Sequence, residues 1–264
     1  MSAPAPKPKL AVHKFSSCDG CQLAFLNLGE SLLQLAQLVD MVHFAEAGPV
    51  EPDAQVDIAF VEGSIATPED KERIERVRAN SRFLVTIGAC ATAGGVQALR
   101  NFASAKEWVA AIYAKPEYIR LLDHSTPIAQ HVKVDLELWG CPVSGRQVLG
   151  ALRLLLLGVA PAEEQDKVCL ECKRRQTVCV MVTQGLACMG PVTRTGCGAL
   201  CPSFARDCYA CYGPAENPNT MALRRRLEGL GLMPDAIVRR FLFLNNTAPA
   251  FRDAALAPAG KTDG

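Results

Sequence analysis

Net charge is what this sequence most plainly lacks: 28 Lys and Arg stand against 27 Asp and Glu, a formal balance of +1. Nothing in that balance draws the chain toward nucleic acid or an anionic membrane, so polyanion binding is excluded as a first reading. An export signal is missing too. The first ten residues, MSAPAPKPKL, have neither the apolar stretch of a signal peptide nor paired arginines, and they read as a flexible lead on a cytoplasmic protein. Long hydrophobic runs are also absent. The longest, VLGALRLLLLGVA, is broken by Arg153 and falls short of the roughly 20 residues that span a bilayer, so it reads as a buried helix.

Cysteine is what the chain has in excess, with 12 in 264 residues. Without an export signal the expected compartment is reducing, where structural disulfides are rare and metal binding or redox chemistry is the default. The cysteines fall into two groups. Cys18, Cys21, Cys90 and Cys141 are scattered over the first 150 residues, whereas Cys169, Cys172, Cys179, Cys188, Cys197, Cys201, Cys208 and Cys211 are crowded together. That split predicts a boundary near GVAPAEEQDK, giving a first domain over 1–160 and a second over 161–264.

The first part alternates strand-like and helix-like stretches. KLAVHKF, VDMVHFAE, VDIAFVEGSI, RFLVTIGAC and VKVDLELWGCP read as strands, and residues 20–38 as one helix. TPEDKERIERVRAN opens with Thr67 as an N-cap, Pro68 in the first turn and acids behind it, and SGRQVLGALRLLLLG gives a further helix. This order predicts an α/β fold, a flavodoxin-like doubly wound parallel sheet. Cys18, Glu62, Cys90 and Cys141 then each follow a strand, at the carboxyl edge where such sheets bind ligands. The second part is rich in Gly, Pro and Cys and poor in regular pattern, so bound cofactors are expected to act as its core. The basic stretch NTMALRRRLEGLGL reads as a helix, and the tail RRFLFLNNTAPAFRDAA as a wrap over the domain or a partner, with no chemistry assigned.

On spacing alone the eight crowded cysteines suit two structural zinc sites, through the CxxC pairs Cys169/Cys172 and Cys208/Cys211, or iron–sulfur clusters, because GCGALCP has the C-x3-C-P ending of ferredoxin-type runs. Cys-only ligation favours the clusters. Cys18 and Cys21, taken alone at a strand-to-helix turn, fit a thioredoxin-like pair whose pKa the helix lowers. Cys90 and Cys141, taken alone, fit buried core thiols. Their glycine-rich settings, IGACATAGG and WGCPVSG, point instead to backbone closely approaching a bulky inorganic group. His13 reads as a packed histidine, the KRR of 173–175 as a solvated turn, and Trp108 and Trp139 as packing area.

Taken in order, SSCDGCQ, VEGSI, GACATAGG and WGCPVSG resemble the small, electron-transferring subunit of [NiFe] hydrogenases, and the eight-cysteine block resembles that of the sulfhydrogenase, NAD(P)-linked and F420-linked group. The resemblance implies three [4Fe-4S] clusters. Cys18, Cys21, Cys90 and Cys141 would ligate the proximal one, and the other eight the medial and distal ones, with pairing unassigned and interleaving expected. Membrane-bound and periplasmic relatives use a distal histidine, but no histidine follows His131 here. Glu62 falls where some relatives carry a carboxylate near the proximal cluster, which implies tuning or proton relay; as a strand-end residue it equally reads as a loop cap.

The resemblance places the nickel–iron site on a large partner subunit, and implies further iron–sulfur and flavin/NAD(P) reductase subunits, with no catalytic residue in this chain. Two readings compete with it. One is a zinc-stabilised α/β interaction scaffold. The other is a quinone-linked, complex I-like subunit, a branch with adjacent cysteines and no eight-cysteine extension.

Overall fold

The computed structural model describes residues 6–162 and 166–257. Its first part is built on five parallel strands: β1 (Lys9–Lys14), β2 (Asp40–Phe44), β3 (Val56–Glu62), β4 (Ser81–Ile87) and β5 (Leu136–Leu138). They lie in the order β2-β1-β3-β4-β5. This is the flavodoxin-type doubly wound order expected from the sequence, with its switch point between β1 and β3.

Strand side chains alternate between two apolar layers because successive residues face opposite sides of a sheet. Leu10, Val12, Ile58, Phe60, Val85 and Ile87 pack on one side with helices α1 (Gly20–Leu26), α2 (Glu30–Leu38) and α6 (Gly145–Leu156). Ala11, Ala59, Val61 and Leu84 pack on the other with α3 (Pro68–Ala79) through Ile74 and Val77. The start of α3 is as the sequence predicts. Thr67 Oγ1 accepts from the Asp70 amide at 3.1 Å and the Asp70 carboxylate accepts from the Thr67 amide at 3.1 Å, a reciprocal capping box. Two short helices, α4 (Gly88–Ala93) and α5 (Ala105–Ile112), follow β4.

Two expected elements differ. The helix expected over 20–38 is two helices, broken at Gly29, whose φ of +56° a helix cannot continue through. The last strand is cut to three residues, because the Asp135 carboxylate accepts from the Leu84 amide at 2.8 Å and ends the ladder there.

The second part carries the short helices α7 (Val168–Arg174), α8 (Val180–Thr183) and α9 (Leu200–Ser203), then α10 (Thr220–Gly229), α11 (Pro234–Leu242) and α12 (Pro249–Leu256). Its core corrects an expectation. Leu223, Leu227, Ile237, Phe241, Leu242 and Phe251 form an apolar base that packs directly on Cys188, Met189, Val192 and Cys208. The basic helix, and the tail read as a wrap over the domain, therefore supply an apolar core where bound cofactors were expected to act as one. It also returns to the sheet, where the buried Asn246 side chain donates to the Gly95 carbonyl at 2.9 Å. The centre of the boundary expected near 158–167 lies outside the described residues.

His13 is a packed residue, as read. It lies 5% exposed and stacks on His43 with ring centroids 4.6 Å apart. Burial, then His43 and Arg73, lower its pKa to about 3, and burial followed by Arg73 lowers that of His43. A depressed histidine pKa means that the unfolded chain takes up the proton first, so this stability is present above the ordinary value of 6.5 and lost as pH falls toward 3. Moving from pH 7 to pH 5 should cost about 2 kcal/mol through His13 alone. Denaturant melts at the two pH values should show it, and His13→Phe should remove most of that difference.

Candidate metal centres

The parallel sheet brings the four scattered cysteines to one edge. Cys18 lies in the loop after β1, Cys21 on the first turn of α1, Cys90 on α4 directly after β4, and Cys141 just beyond β5. Backbone bonds hold the loops in place: Phe15 donates to the Glu62 carbonyl at 2.8 Å, and Ser16 and Ser64 exchange bonds at 3.2 and 2.9 Å. Cys18 is exposed, Cys21 buried, and the other two half-buried. Burial pushes the Cys90 thiol up to about 12, with Cys141, Cys18 and Glu62 adding to it. Burial also raises Cys21, together with Glu62, Cys90 and Cys141, and raises Cys141, together with Cys18. Cys21 thus feels Cys90 and Cys141, and Cys90 feels Cys141 and Cys18, as members of one group.

Two glycines make room for sulfur. A Cβ at Gly88 would stand 2.3 Å from Cys21 Sγ and one at Gly95 2.5 Å from Cys90 Sγ, and both glycines have positive φ. The Cys21 sulfur accepts from the Val143 amide at 3.5 Å, and the Cys90 thiol donates to Gln97 Oε1 at 2.9 Å.

Glu62 is 2% exposed and caps α1 across the switch point. Its two carboxylate oxygens accept from the Cys21 and Gln22 amides at 3.2 and 3.1 Å. Burial raises its pKa while those amides hold it down. The strand-end capping reading is therefore realised, on a helix rather than a loop.

The crowded cysteines form two further groups. Cys197, Cys201, Cys208 and Cys211 line one cavity of about 300 Å³, which Cys141 also lines. Burial pushes Cys211 up to about 12, with Cys141, Cys201 and Cys197 adding to it. Cys169 is raised by burial, Cys188 and Cys179, and Cys172 reaches about 11 through burial, then Cys169, Cys188, Cys179 and Cys197. Gly190 opens beside this group: a Cβ there would lie 3.4 Å from Cys188 Sγ and 3.7 Å from Cys169 Sγ. The groups adjoin, since the Cys208 amide donates to Cys188 Sγ at 3.3 Å.

Tyr212 was missed from the sequence, although its place directly after Cys211 in CYACYGP was a signal. Its hydroxyl donates to the Pro142 carbonyl at 3.4 Å. Tyr212 lines the same cavity as Cys141 and Cys211, and burial raises its pKa, followed by Cys197, Cys211 and Cys21.

Among the described residues no three Cys, His, Asp or Glu side chains are grouped tightly enough for a single metal ion. In a four-iron cluster each thiolate binds a different iron, so its four sulfurs stand farther apart than the ligands of one ion. All-thiol donor sets, glycines cleared from the sulfurs and amides aimed at sulfur fit such a group. Gly88→Ala should lower the iron content of the sheet-edge site and cost about 1–3 kcal/mol, because the new methyl meets Cys21 Sγ at a strained φ. Iron analysis beside a denaturation curve would check both.

Residues 18–155 match the family described as NADH ubiquinone oxidoreductase, 20 Kd subunit. The chain is similar to sulfhydrogenase 2 subunit delta of Pyrococcus furiosus, 32% identical over 234 residues that cover 89% of this chain and 97% of the relative. NAD-reducing hydrogenase HoxS subunit delta of Cupriavidus necator is 30% identical over 167 residues, which cover 58% of this chain and 80% of that relative. Among solved structures, an NAD+-reducing [NiFe]-hydrogenase in the H2-reduced state matches with a TM-score of 0.55 and 28% identity, covering 60% of this chain and 95% of that one. Sheet order, the thiols at its carboxyl edge and these likenesses agree: the chain belongs to the NADH ubiquinone oxidoreductase 20 Kd subunit family, among its [NiFe]-hydrogenase small subunits.

Proposed function

We propose that the chain relays electrons between the nickel–iron site of a large subunit and a further redox subunit, through three [4Fe-4S] clusters. Cys18, Cys21, Cys90 and Cys141 hold the first. Cys197, Cys201, Cys208 and Cys211 hold the middle one, because they share the cavity that Cys141 borders. Cys169, Cys172, Cys179 and Cys188 hold the last. Each set is consecutive along the chain, not interleaved as ferredoxin-type spacing suggests.

One observation carries this reading. Of the twelve thiols only Cys18 and Cys179 are exposed, and they belong to the two outer groups. The arrangement therefore has one exposed thiol in each outer group and none in the middle group. That suits a relay between two partners better than a zinc scaffold, which has no use for two surface termini.

When bound, the clusters supply uptake and release of single electrons. The chain's residues set the conditions. Burial and amide–sulfur bonds, from Val143 to Cys21, Cys208 to Cys188 and Ala210 to Cys208, adjust how readily each site takes an electron. Glu62 holds the helix that carries Cys21, and its buried carboxylate is placed to tune the first site or pass a proton beside it. A flavin/NAD(P) module is the proposed acceptor, from likeness to the NAD+-reducing enzyme. Among the described residues no helix is long and apolar enough to cross a membrane.

Metal analysis of the purified complex should find about four irons per four cysteines; a colourless protein holding zinc would overturn the cluster reading. Cys90→Ser should abolish hydrogen-driven dye reduction. Cys208→Ser should spare hydrogen–deuterium exchange at the partner while stopping transfer to the distant acceptor, and equal loss of both activities would contradict the middle placement.

A further inference from the structure

Glu171 lies between two proposed ligands of the last group, Cys169 and Cys172, on the short helix α7. Its carboxylate does not serve that group. It reaches across to the loop that carries Cys197, a ligand of the middle group. Oε1 accepts from the Gly196 and Gly198 amides at 3.2 and 3.1 Å, and Oε2 from the Ala199 amide at 3.0 Å. Cys197 Sγ stands 3.9 Å from Oε2.

The loop is shaped for this. Gly196, Gly198 and Ala199 all have positive φ, at 131°, 68° and 52°, and backbone in such conformations gathers amides into a concavity that favours an anion. Ala199 carries a Cβ that disfavours the left-handed region, so the bonds received by the carboxylate help to hold it there.

The Ala199 and Leu200 amides already face the Cys197 sulfur, and without the carboxylate the Gly196 and Gly198 amides would also be free to donate to cluster sulfur. Hydrogen bonds to sulfur stabilise the charge of an added electron and make reduction easier, whereas a nearby carboxylate makes it harder. Glu171 acts in one direction through both routes. It occupies the Gly196 and Gly198 donors, shares the Ala199 donor with Cys197, and sets a carboxylate beside that sulfur.

We propose that Glu171 is a positioning and charge-setting residue for the middle cluster: it fixes the Gly196–Ala199 loop and holds that cluster harder to reduce than its own backbone would leave it. Because the residue belongs to the helix that carries Cys169 and Cys172, it also ties that helix to the loop of the middle group, so that neither shifts alone. This rests on the reading that Cys197, Cys201, Cys208 and Cys211 hold an iron–sulfur cluster.

The test is a redox titration of the purified complex, followed by electron paramagnetic resonance, for the parent protein, Glu171→Gln and Glu171→Asp. Glutamine keeps the size but loses the charge, and it turns an NH2 group toward an amide donor. The expected result is that one cluster signal becomes easier to reduce in Glu171→Gln, by about tenfold in its reduction equilibrium, which is about 59 mV for one electron. The other signals should stay in place, and Glu171→Asp, which keeps the charge, should shift less. An unchanged potential in Glu171→Gln, a shift shared equally by every cluster, or loss of the middle signal in both variants would overturn the proposal, the last by reducing Glu171 to a folding residue. Absence of iron in the parent protein would instead remove the cluster reading itself and this inference with it.

Discussion

A buried thiol resists ionising, and several buried together resist more, because each thiolate would repel the next. Cys21, Cys90, Cys208 and Cys211 are arranged under that constraint. Cys90 and Cys211 are each driven to about 12, first by burial and then by neighbouring groups, most of them other thiols. Iron cations would reverse the balance, since coordination deprotonates a thiol outright and the metal charge offsets the mutual repulsion. What is costly without metal becomes a binding site with it. Much of the remaining architecture can be read as support for crowding these sulfurs without filling the space between them with side chains.

The parallel sheet does this for the first group. All five strands point the same way, so β3 brings its last residue Glu62, and the segments that follow β1, β4 and β5 bring Cys18, Cys90 and Cys141, to one edge. Glu62 turns the edge into a fixed frame by capping the helix that carries Cys21. The second part has no sheet among its described residues. Its support is the base formed by Leu223, Leu227, Ile237, Phe241 and Phe251, which holds Cys188 and Cys208 from beneath. This explains why a segment so full of Gly, Pro and Cys can hold defined positions: the helices that stabilise it come after it in the chain.

Between the groups, residues that are not cysteines add to the contacts made by Cys141 at the cavity and by Cys208 with Cys188. Tyr212 lines the cavity and bonds to Pro142 beside Cys141, and Trp139 packs against Gly213, where a Cβ would stand 2.2 Å from the indole. Asn246 fastens the tail to Gly95, two residues from α4, the helix that carries Cys90. Relative placement of the thiol groups is thus set by packing and hydrogen bonds in the protein itself.

The sequence by itself determined the sheet, the capped start at Thr67, the strand-end placement of Cys18, Cys90 and Cys141, and the family. Those features depend on local pattern: strand runs with both faces apolar, an N-cap followed by acids, and cysteines spaced from glycines. Only the tertiary structure shows that Cys197, Cys201, Cys208 and Cys211 line one cavity, since spacing such as C-x2-C says which thiols are near in the chain and nothing about which share a space. It also decided that Glu62 caps α1 and that the tail is a core. Partners 40 residues apart, such as Glu62 and Gln22, leave no periodic trace for a sequence reading to find. The break at Gly29 is the intermediate case: the glycine was visible, but only packing of α1 and α2 on the same layer made it a turn rather than a tolerated residue within one helix.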